Sequence, residues 1–279
     1  MKTRIITAVV ALAIFAPILY FSDTWPFVAF ACIVSLFASY EILKCAGLDK
    51  EWFLSIPTML VFTFIPFCTR YVFDTNGAFL RYVCVVLLIY MFYIFAVSVF
   101  SKGKAAICDV CLVFTMNIYA CAGFCSMVFV RDLEGAGVFM FPLILIGAWV
   151  TDTGAYFVGV TMGKHKLIPD VSPKKSVEGA IGGIIITTLA FLGYGLLIDK
   201  VFDHAVNYIG LAVAGLLLSV VSMIGDLIAS LVKRHYGVKD FGSLFPGHGG
   251  VLDRFDSIIA TSLFIFVLCN LSDYFLLIH

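Results

Sequence analysis

Residues 219–240, SVVSMIGDLIASLVKRHYGVKD, combine an apolar helical pattern with one row of polar side chains. Four polar residues spaced by four share one face of this helix: Ser222, Asp226, Ser230 and Arg234. Lys233 lies near the same edge. One polar residue in an apolar helix is typical of helix–helix contacts. An aligned ladder that runs into basic residues instead indicates the wall of a polar cavity with a charged mouth.

The rest of the chain has the composition of a membrane protein. Of its 279 residues, 62% are hydrophobic and 13% are charged, whereas soluble domains have about 25% charged residues. Apolar runs of about 20 residues can cross a bilayer. We find nine candidates, at 5–22, 26–43, 53–69, 77–100, 107–130, 136–160, 178–198, 205–229 and 257–277. We therefore predict an all-α polytopic membrane protein with one membrane domain. Residues 1–135 carry few motifs, and 136–279 form the catalytic half.

The basic residues predict the orientation of these helices. With a cytoplasmic N-terminus, fourteen of the 18 lysines and arginines lie on the cytoplasmic side, which is the side they favour. The two long polar connections, 161–177 and 230–256, then both face the cytoplasm, so a single site can use both. No long extension precedes the first apolar run, which favours a bacterial inner membrane over an organelle membrane.

The first polar connection is strongly basic. It lies within GKHKLIPDVSPKKSVEGAIGG, residues 163–183, where Pro173 favours an extended residue before it. Ser172, Lys174 and Lys175 offer a hydroxyl and two ammonium groups, which suit a bound phosphate. The lysines are equally explained as a signal for membrane topology, and both interpretations stay open.

Asp152 lies inside the apolar run before this connection. A carboxylate at the bilayer centre costs about 2.5–3.5 kcal/mol on insertion scales, so such residues usually face a cavity and act in function. We expect Asp152 to contribute to substrate binding. A structural partnership with a lysine or a backbone amide is the alternative.

The second connection ends in GSLFPGHGGVLDRFDS, residues 242–257. Its glycines permit close backbone approach to a ligand, and a helix that begins near Leu252 puts Asp253 and Asp256 on one face. The helix dipole alone favours acids at such a position. Together with Asp226, however, they supply three carboxylates. That set is wrong for zinc and suits Mg²⁺. With the surrounding lysines it indicates phosphoryl or nucleotidyl transfer.

Residues 222–257, SMIGDLIASLVKRHYGVKDFGSLFPGHGGVLDRFDS, resemble the signature of the CDP-diacylglycerol synthase (phosphatidate cytidylyltransferase) family. SPKKSVEG at 172–179 and DTGAYFVGVTMGKHK at 152–166 agree with it, although the family more often has threonine where Ser176 stands. The resemblance implies transfer of the CMP moiety of CTP to phosphatidate, giving CDP-diacylglycerol and pyrophosphate in phospholipid biosynthesis.

The resemblance also implies roles for single residues. Asp226, Asp253 and Asp256 would hold Mg²⁺, and a second, monovalent cation is left open. The phosphates of CTP and phosphatidate would be contacted by basic residues, namely Lys174, Lys175, Lys233, Arg234, Lys239, His248 and Arg254. Asp240, which follows Lys239 in the motif, and the polar residues Ser172, Ser222, Ser230 and Asp152 complete the expected substrate contacts. The implied assembly is a homodimer in the lipid bilayer, with no nucleic-acid partner.

Other interpretations differ in chemistry. A CTP-dependent polyprenol or phytol kinase would transfer the γ-phosphate to an alcohol and release CDP. A transporter would use Asp152 and Asp226 to bind a coupling cation, but the sequence has no pair of interrupted helices repeated in two halves. A non-catalytic scaffold leaves the three carboxylates unexplained.

Overall fold

A computed structural model describes residues 16–72, 76–101, 103–245 and 249–271. After a helical stretch at 16–20, these residues form eight longer helices and one short hairpin. The elements are α1 Trp25–Cys45, α2 Trp52–Tyr71, α3 Asn76–Phe100, α4 Ile107–Arg131, α5 Gly137–Met162, β1 Lys166–Ile168, β2 Ser172–Ser176, α6 Val177–Phe202, α7 Tyr208–His235 and α8 Leu252–Leu271.

Seven of the described helices, α1 to α7, are long and apolar enough to cross a membrane. The protein is therefore an all-α polytopic membrane protein, as predicted. Even α2 is one continuous helix, although it contains Pro57 and Pro66. The first predicted run, 5–22, lies largely outside the described residues, so the count of nine spans and the cytoplasmic N-terminus stay predictions.

Helix α8 begins at Leu252, where the sequence predicted a helix start. Its first turn contains Asp253, and Asp256 follows one turn later. The described part of the helix ends at Leu271, inside the predicted run 257–277. The two carboxylates thus lie at the beginning of α8, before its largely apolar part.

The described chain forms two compact units. The first contains the residues up to Val128 together with Tyr236–Arg254. Here α1 packs against α2, and Ser35 Oγ donates to the Phe62 carbonyl at 2.7 Å. Ser39 Oγ likewise donates to Asn117 Oδ1 at 2.5 Å. Such bonds satisfy polar groups that have no access to water inside a bilayer.

The second unit contains Phe129–His235 and the described residues from Phe255 onward. Helix α6 packs against both α5 and α7, and α5 also contacts α7. A Cβ atom on Gly147 of α5 would lie 2.1 Å from Leu218 Cδ2 of α7. A larger residue at position 147 would therefore force the Leu218 side chain to move. The antiparallel hairpin of β1 and β2, which pairs Lys166 with Ser176, lies against α5 and α6.

Candidate active site

Lys175 and Asp226 form an ion pair in the second unit. Lys175 is on β2 and Asp226 is on α7, and the contact joins Nζ to Oδ2. The two side chains are 23% and 27% exposed, but the Lys175 Nζ atom itself is buried, so the ion pair is partly shielded from water. The pair connects the basic connection with the polar face of α7, two features that the sequence suggested separately.

The hairpin that carries Lys175 is fixed by the first turn of α6. The carboxylate of Glu178 accepts hydrogen bonds from the backbone N–H groups of Lys164, at 3.0 Å, and His165, at 3.2 Å. Its Oε1 also lies 2.6 Å from His165 Nδ1. Ser176 is the N-cap, and its Oγ accepts from the N–H of Gly179 at 3.2 Å. Both ends of the hairpin are therefore tied to one helix start.

Further basic groups surround the hairpin. Lys174 is exposed beside Lys175, and Ser172 is half-buried at the start of β2. Arg234, near the end of α7, is exposed, and its Nε donates to the Val171 carbonyl at 3.4 Å. This arrangement keeps guanidinium and ammonium groups on the surface around one ion pair.

A second carboxylate group lies close to Asp226. Asp256 of α8 is within electrostatic range of Asp226, Asp152 and Lys233. Asp152 is exposed on α5, and its Oδ2 accepts from Ser257 Oγ at 3.2 Å. Lys233 is only 8% exposed. Three acids thus share the neighbourhood of two lysines, Lys175 and Lys233. The excess negative charge favours a bound cation, because like charges destabilise one another when partly buried.

The serines of the polar ladder differ in their surroundings. Ser222, one turn before Asp226, is completely buried. Its Oγ has no hydrogen-bond partner among the described residues. Ser230, one turn after Asp226, is half-buried. A buried hydroxyl without a partner is costly, so the Ser222 hydroxyl has an unused capacity for one hydrogen bond.

The first unit holds the remaining motif residues. Asp253 is 8% exposed, and its Oδ2 accepts from the N–H groups of Phe241, at 2.8 Å, and Gly250, at 3.0 Å. The N–H of Phe245 donates to the Gly249 carbonyl at 2.9 Å, and Gly249 has φ +88°. Asp253 thus holds Phe241 and Gly250 together, and we call the described residues 241–245 and 249–250 the signature loop.

Other predicted residues lie at the surface of this unit. Lys239, Asp240 and Arg254 are exposed. His248 lies outside the described residues. At the start of the segment Tyr236–Arg254, Tyr236 Oη donates to Asp109 Oδ1 at 2.9 Å. Burial and the Asp109 carboxylate raise the pKa of Tyr236 above its usual range, so its hydroxyl stays a neutral donor.

The donor set around Asp226 fits magnesium. Mg²⁺ usually takes one or two carboxylates and completes its octahedron with water and substrate phosphates. Asp226 and Asp256 supply two such carboxylates in one unit. Within the described ranges, no group of three or more His, Cys, Asp or Glu residues is arranged to hold a metal. Asp253 belongs to the first unit, where its Oδ2 binds backbone amides, and its metal role stays a prediction.

Sequence reasoning did not single out several residues that organise these motifs. Glu178 and His165 anchor the hairpin, and Asp109 contacts Tyr236. Glu41 is a buried acid that binds the start of α8. The sequence could have indicated Glu41, since a carboxylate within the apolar run 26–43 is as unusual as Asp152 in its own apolar run.

The helices define an integral membrane protein, and the charged groups at its helix ends are suited to anionic substrates. Residues 2–272 match the model of the cytidylyltransferase family, and the chain belongs to that family. It is 36% identical over 263 residues to a phosphatidate cytidylyltransferase of Staphylococcus epidermidis, with 92% of this chain and 94% of the relative covered. The phosphatidate cytidylyltransferases of Staphylococcus aureus and Staphylococcus haemolyticus are 35% and 34% identical, with the same coverage.

Proposed function

We propose that this protein is a phosphatidate cytidylyltransferase. It transfers the CMP moiety of CTP to phosphatidate and forms CDP-diacylglycerol and pyrophosphate. Family membership and relatives of that name, which match over 92% of the chain, support the reaction type. The all-α membrane fold supports a lipid substrate.

The observation that carries the proposal is the ion pair between Lys175 and Asp226. A lysine that neutralises a carboxylate in the absence of substrate can neutralise a phosphate once substrate binds. Asp226 then becomes available to a cation. The pair therefore brings a phosphate-binding group and a metal-binding group into direct contact, which nucleotidyl transfer requires.

The reaction joins two anions. An oxygen of the phosphatidate phosphate forms a bond to the α-phosphorus of CTP, and the bond from that phosphorus to the β-phosphate oxygen breaks. Pyrophosphate leaves with the electrons of the broken bond. Because the attacking phosphate is already anionic, no strong general base is needed. The protein's task is to position both phosphates and to offset their repulsion.

In the proposal, the basic residues position the phosphates and offset their repulsion. Lys175 and the buried Lys233 contact phosphates near Asp226, and the exposed Lys174 and Arg234 attract CTP. The unpartnered hydroxyl of Ser222 donates to a substrate oxygen. Lys239, Asp240 and Arg254 of the first unit are assigned to substrate by their place in the motif.

Magnesium is part of the proposal. Asp226 and Asp256 would hold it, and Asp253 is assigned to it by the motif. When bound, Mg²⁺ supplies positive charge that offsets the charge on the transferring and leaving phosphates. A further monovalent cation near these carboxylates is also proposed.

The proposed membrane arrangement follows from the basic residues. The site faces the cytoplasm of a bacterial cell, where CTP is available, while the acyl chains of phosphatidate remain in the bilayer. The protein is also proposed to be a homodimer, which the mass of the detergent-extracted particle would test.

The test is a product analysis with purified protein, cytidine-labelled CTP, phosphatidate and Mg²⁺. We expect labelled cytidine in the lipid fraction and stoichiometric pyrophosphate. Free CDP together with a newly phosphorylated lipid would instead identify a CTP-dependent lipid kinase.

A further inference from the structure

Glu41 is a deeply buried acid in a membrane-spanning helix. It lies near the end of α1 and is 3% exposed. Carboxylates in such positions are costly unless they accept strong hydrogen bonds. The partners of Glu41 therefore indicate why an acid occupies this position.

Both oxygens of Glu41 bind the beginning of α8. Oε1 accepts from the N–H of Val251, and Oε2 accepts from the N–H of Leu252, each at 2.9 Å. These are adjacent backbone amides at a helix start, where N–H groups lack partners within the helix and the dipole favours negative charge. Glu41 thus caps a helix that lies 210 residues away in the sequence.

The signature loop closes tightly around this carboxylate. A Cβ atom on Gly242 would lie 2.4 Å from Glu41 Oε1, and one on Gly250 would lie 2.3 Å from it. Both distances are shorter than real Cβ contacts, so a larger residue at either position would force the Glu41 carboxylate, which two backbone amides hold, to move. Two motif glycines that could be assigned to ligand approach instead make room for Glu41.

The same loop contains Asp253. Its Oδ2 binds the amide of Gly250, next to the Val251 amide bound by Glu41. The two acids therefore hold consecutive amides of one short segment. We therefore expect a change at Glu41 to disturb the neighbouring Gly250 amide, which binds the Asp253 carboxylate.

We propose that Glu41 is a positioning residue for cytidylyl transfer. Its carboxylate fixes the first turn of α8 and the signature loop, and thereby the orientation of Asp253. This inference rests on the proposed function, in which the motif assigns Asp253 to Mg²⁺. It also gives the motif-poor N-terminal helices a task, which is to hold the signature loop.

The test compares Glu41→Gln with Ser35→Ala in the purified full-length protein. Glutamine keeps the size of the side chain, but its NH2 group cannot accept the bond that one backbone amide donates. Ser35 is on α1, as Glu41 is, and Ser35→Ala removes its buried hydrogen bond to the Phe62 carbonyl of α2. This bond does not involve the signature loop. Thermal unfolding of both variants measures the purely structural cost.

We expect Glu41→Gln to lower kcat by roughly 10- to 100-fold, because a buried hydrogen bond to a charged group is lost. The KM for CTP should change by less than about threefold, since Lys174 and Arg234, which attract CTP in the proposal, do not belong to the segment that Glu41 holds. Ser35→Ala should lower the unfolding temperature and leave kcat within about twofold of the wild type. An equal kcat loss in both variants, or wild-type kcat in Glu41→Gln, overturns the proposal.

A second pair of variants tests the packing of the loop on Glu41. Gly250→Ala should lower kcat like Glu41→Gln, because the added methyl group displaces the carboxylate. In a Glu41→Ala background the same substitution should cost much less, since the clash is gone. Additive losses in the double variant contradict the proposed contact.

Amide hydrogen exchange tests, independently of activity, whether Glu41 holds the start of α8. In Glu41→Gln, amide exchange should rise at Val251 and Leu252 and stay unchanged in α2. Unchanged exchange at both amides means that Glu41 does not hold the loop. If the wild type made no lipid-linked cytidine, the proposed function would fail, whereas the exchange result would still decide whether Glu41 holds the helix start.

Discussion

Lys175 Nζ and Asp226 Oδ2 form an ion pair between β2 and α7. Each side chain is partly shielded from water, which strengthens their interaction relative to a surface pair. The pair joins two stretches that are 51 residues apart, each of which suggested phosphate chemistry in the sequence. It is the contact from which the catalytic proposal follows.

Asp226→Asn should abolish nearly all turnover. The substitution removes a proposed metal ligand and leaves Lys175 without its partner, so we expect kcat to fall by at least about 100-fold. Turnover of purified, monodisperse protein measures the effect. Asp23→Asn, at an exposed position, is the control and should keep full activity. Wild-type turnover in folded Asp226→Asn would disprove the metal assignment.

Lys175→Gln should weaken phosphate binding and slow the reaction. We expect kcat/KM for CTP to fall by about 10- to 100-fold. The double variant Lys175→Gln with Asp226→Asn should be little worse than Asp226→Asn alone, since the two residues act as a pair. Lys104→Gln, at an exposed lysine, controls for the lost charge. Strict additivity of the two losses would argue against a coupled role.

Ser222→Ala should affect ligand binding more than folding. The buried Ser222 hydroxyl has no partner among the described residues, so its removal should leave the unfolding temperature unchanged or raise it. The KM for one substrate should rise by about five- to tenfold, as expected for one lost hydrogen bond. Ser219→Ala is the matched control, because Ser219 Oγ is buried but donates to the Leu216 carbonyl at 2.7 Å.

Ser219→Ala should therefore lower stability and leave KM unchanged. The opposite pattern, with stability lost in Ser222→Ala and no change in KM, would show that Ser222 is only a packing residue.

Removal of divalent metal should abolish activity reversibly. EDTA should stop turnover, and Mg²⁺ should restore it. Asp256→Asn should require a several-fold higher Mg²⁺ concentration for half-maximal rate, because one carboxylate of the proposed pair is lost. Parallel titrations with K⁺ and Na⁺ at constant Mg²⁺ test the second cation. Full activity in EDTA would contradict the magnesium proposal.

Much of the architecture is encoded locally and was predictable from the sequence. The length of apolar runs identified the membrane helices, including α2 with its two prolines. The glycine-rich stretch followed by an apolar run located the start of α8 at Leu252. These features depend on hydrophobic periodicity and on turn residues, and both can be recognised within a short stretch of sequence.

The contacts that organise the site depend on residues distant in the chain. The prolines indicated extended backbone near Ser172, but strand pairing of Lys166 with Ser176 depends on how the connection folds back. Glu41 and Leu252 are 211 residues apart, and no local pattern relates them. Because Asp253 has a carboxylate, the sequence suggested that it binds a metal. Its hydrogen bonds with the backbone amides of Phe241 and Gly250 depend on the folded loop and could not be predicted.

The most direct test of the proposed reaction follows two labels in one assay. Purified protein is given phosphatidate, Mg²⁺ and CTP labelled in the cytidine ring and, separately, at the γ-phosphate. The proposal predicts that the cytidine label enters the lipid and that the γ label leaves as pyrophosphate. A γ label in the lipid, with the cytidine label in free CDP, would contradict it.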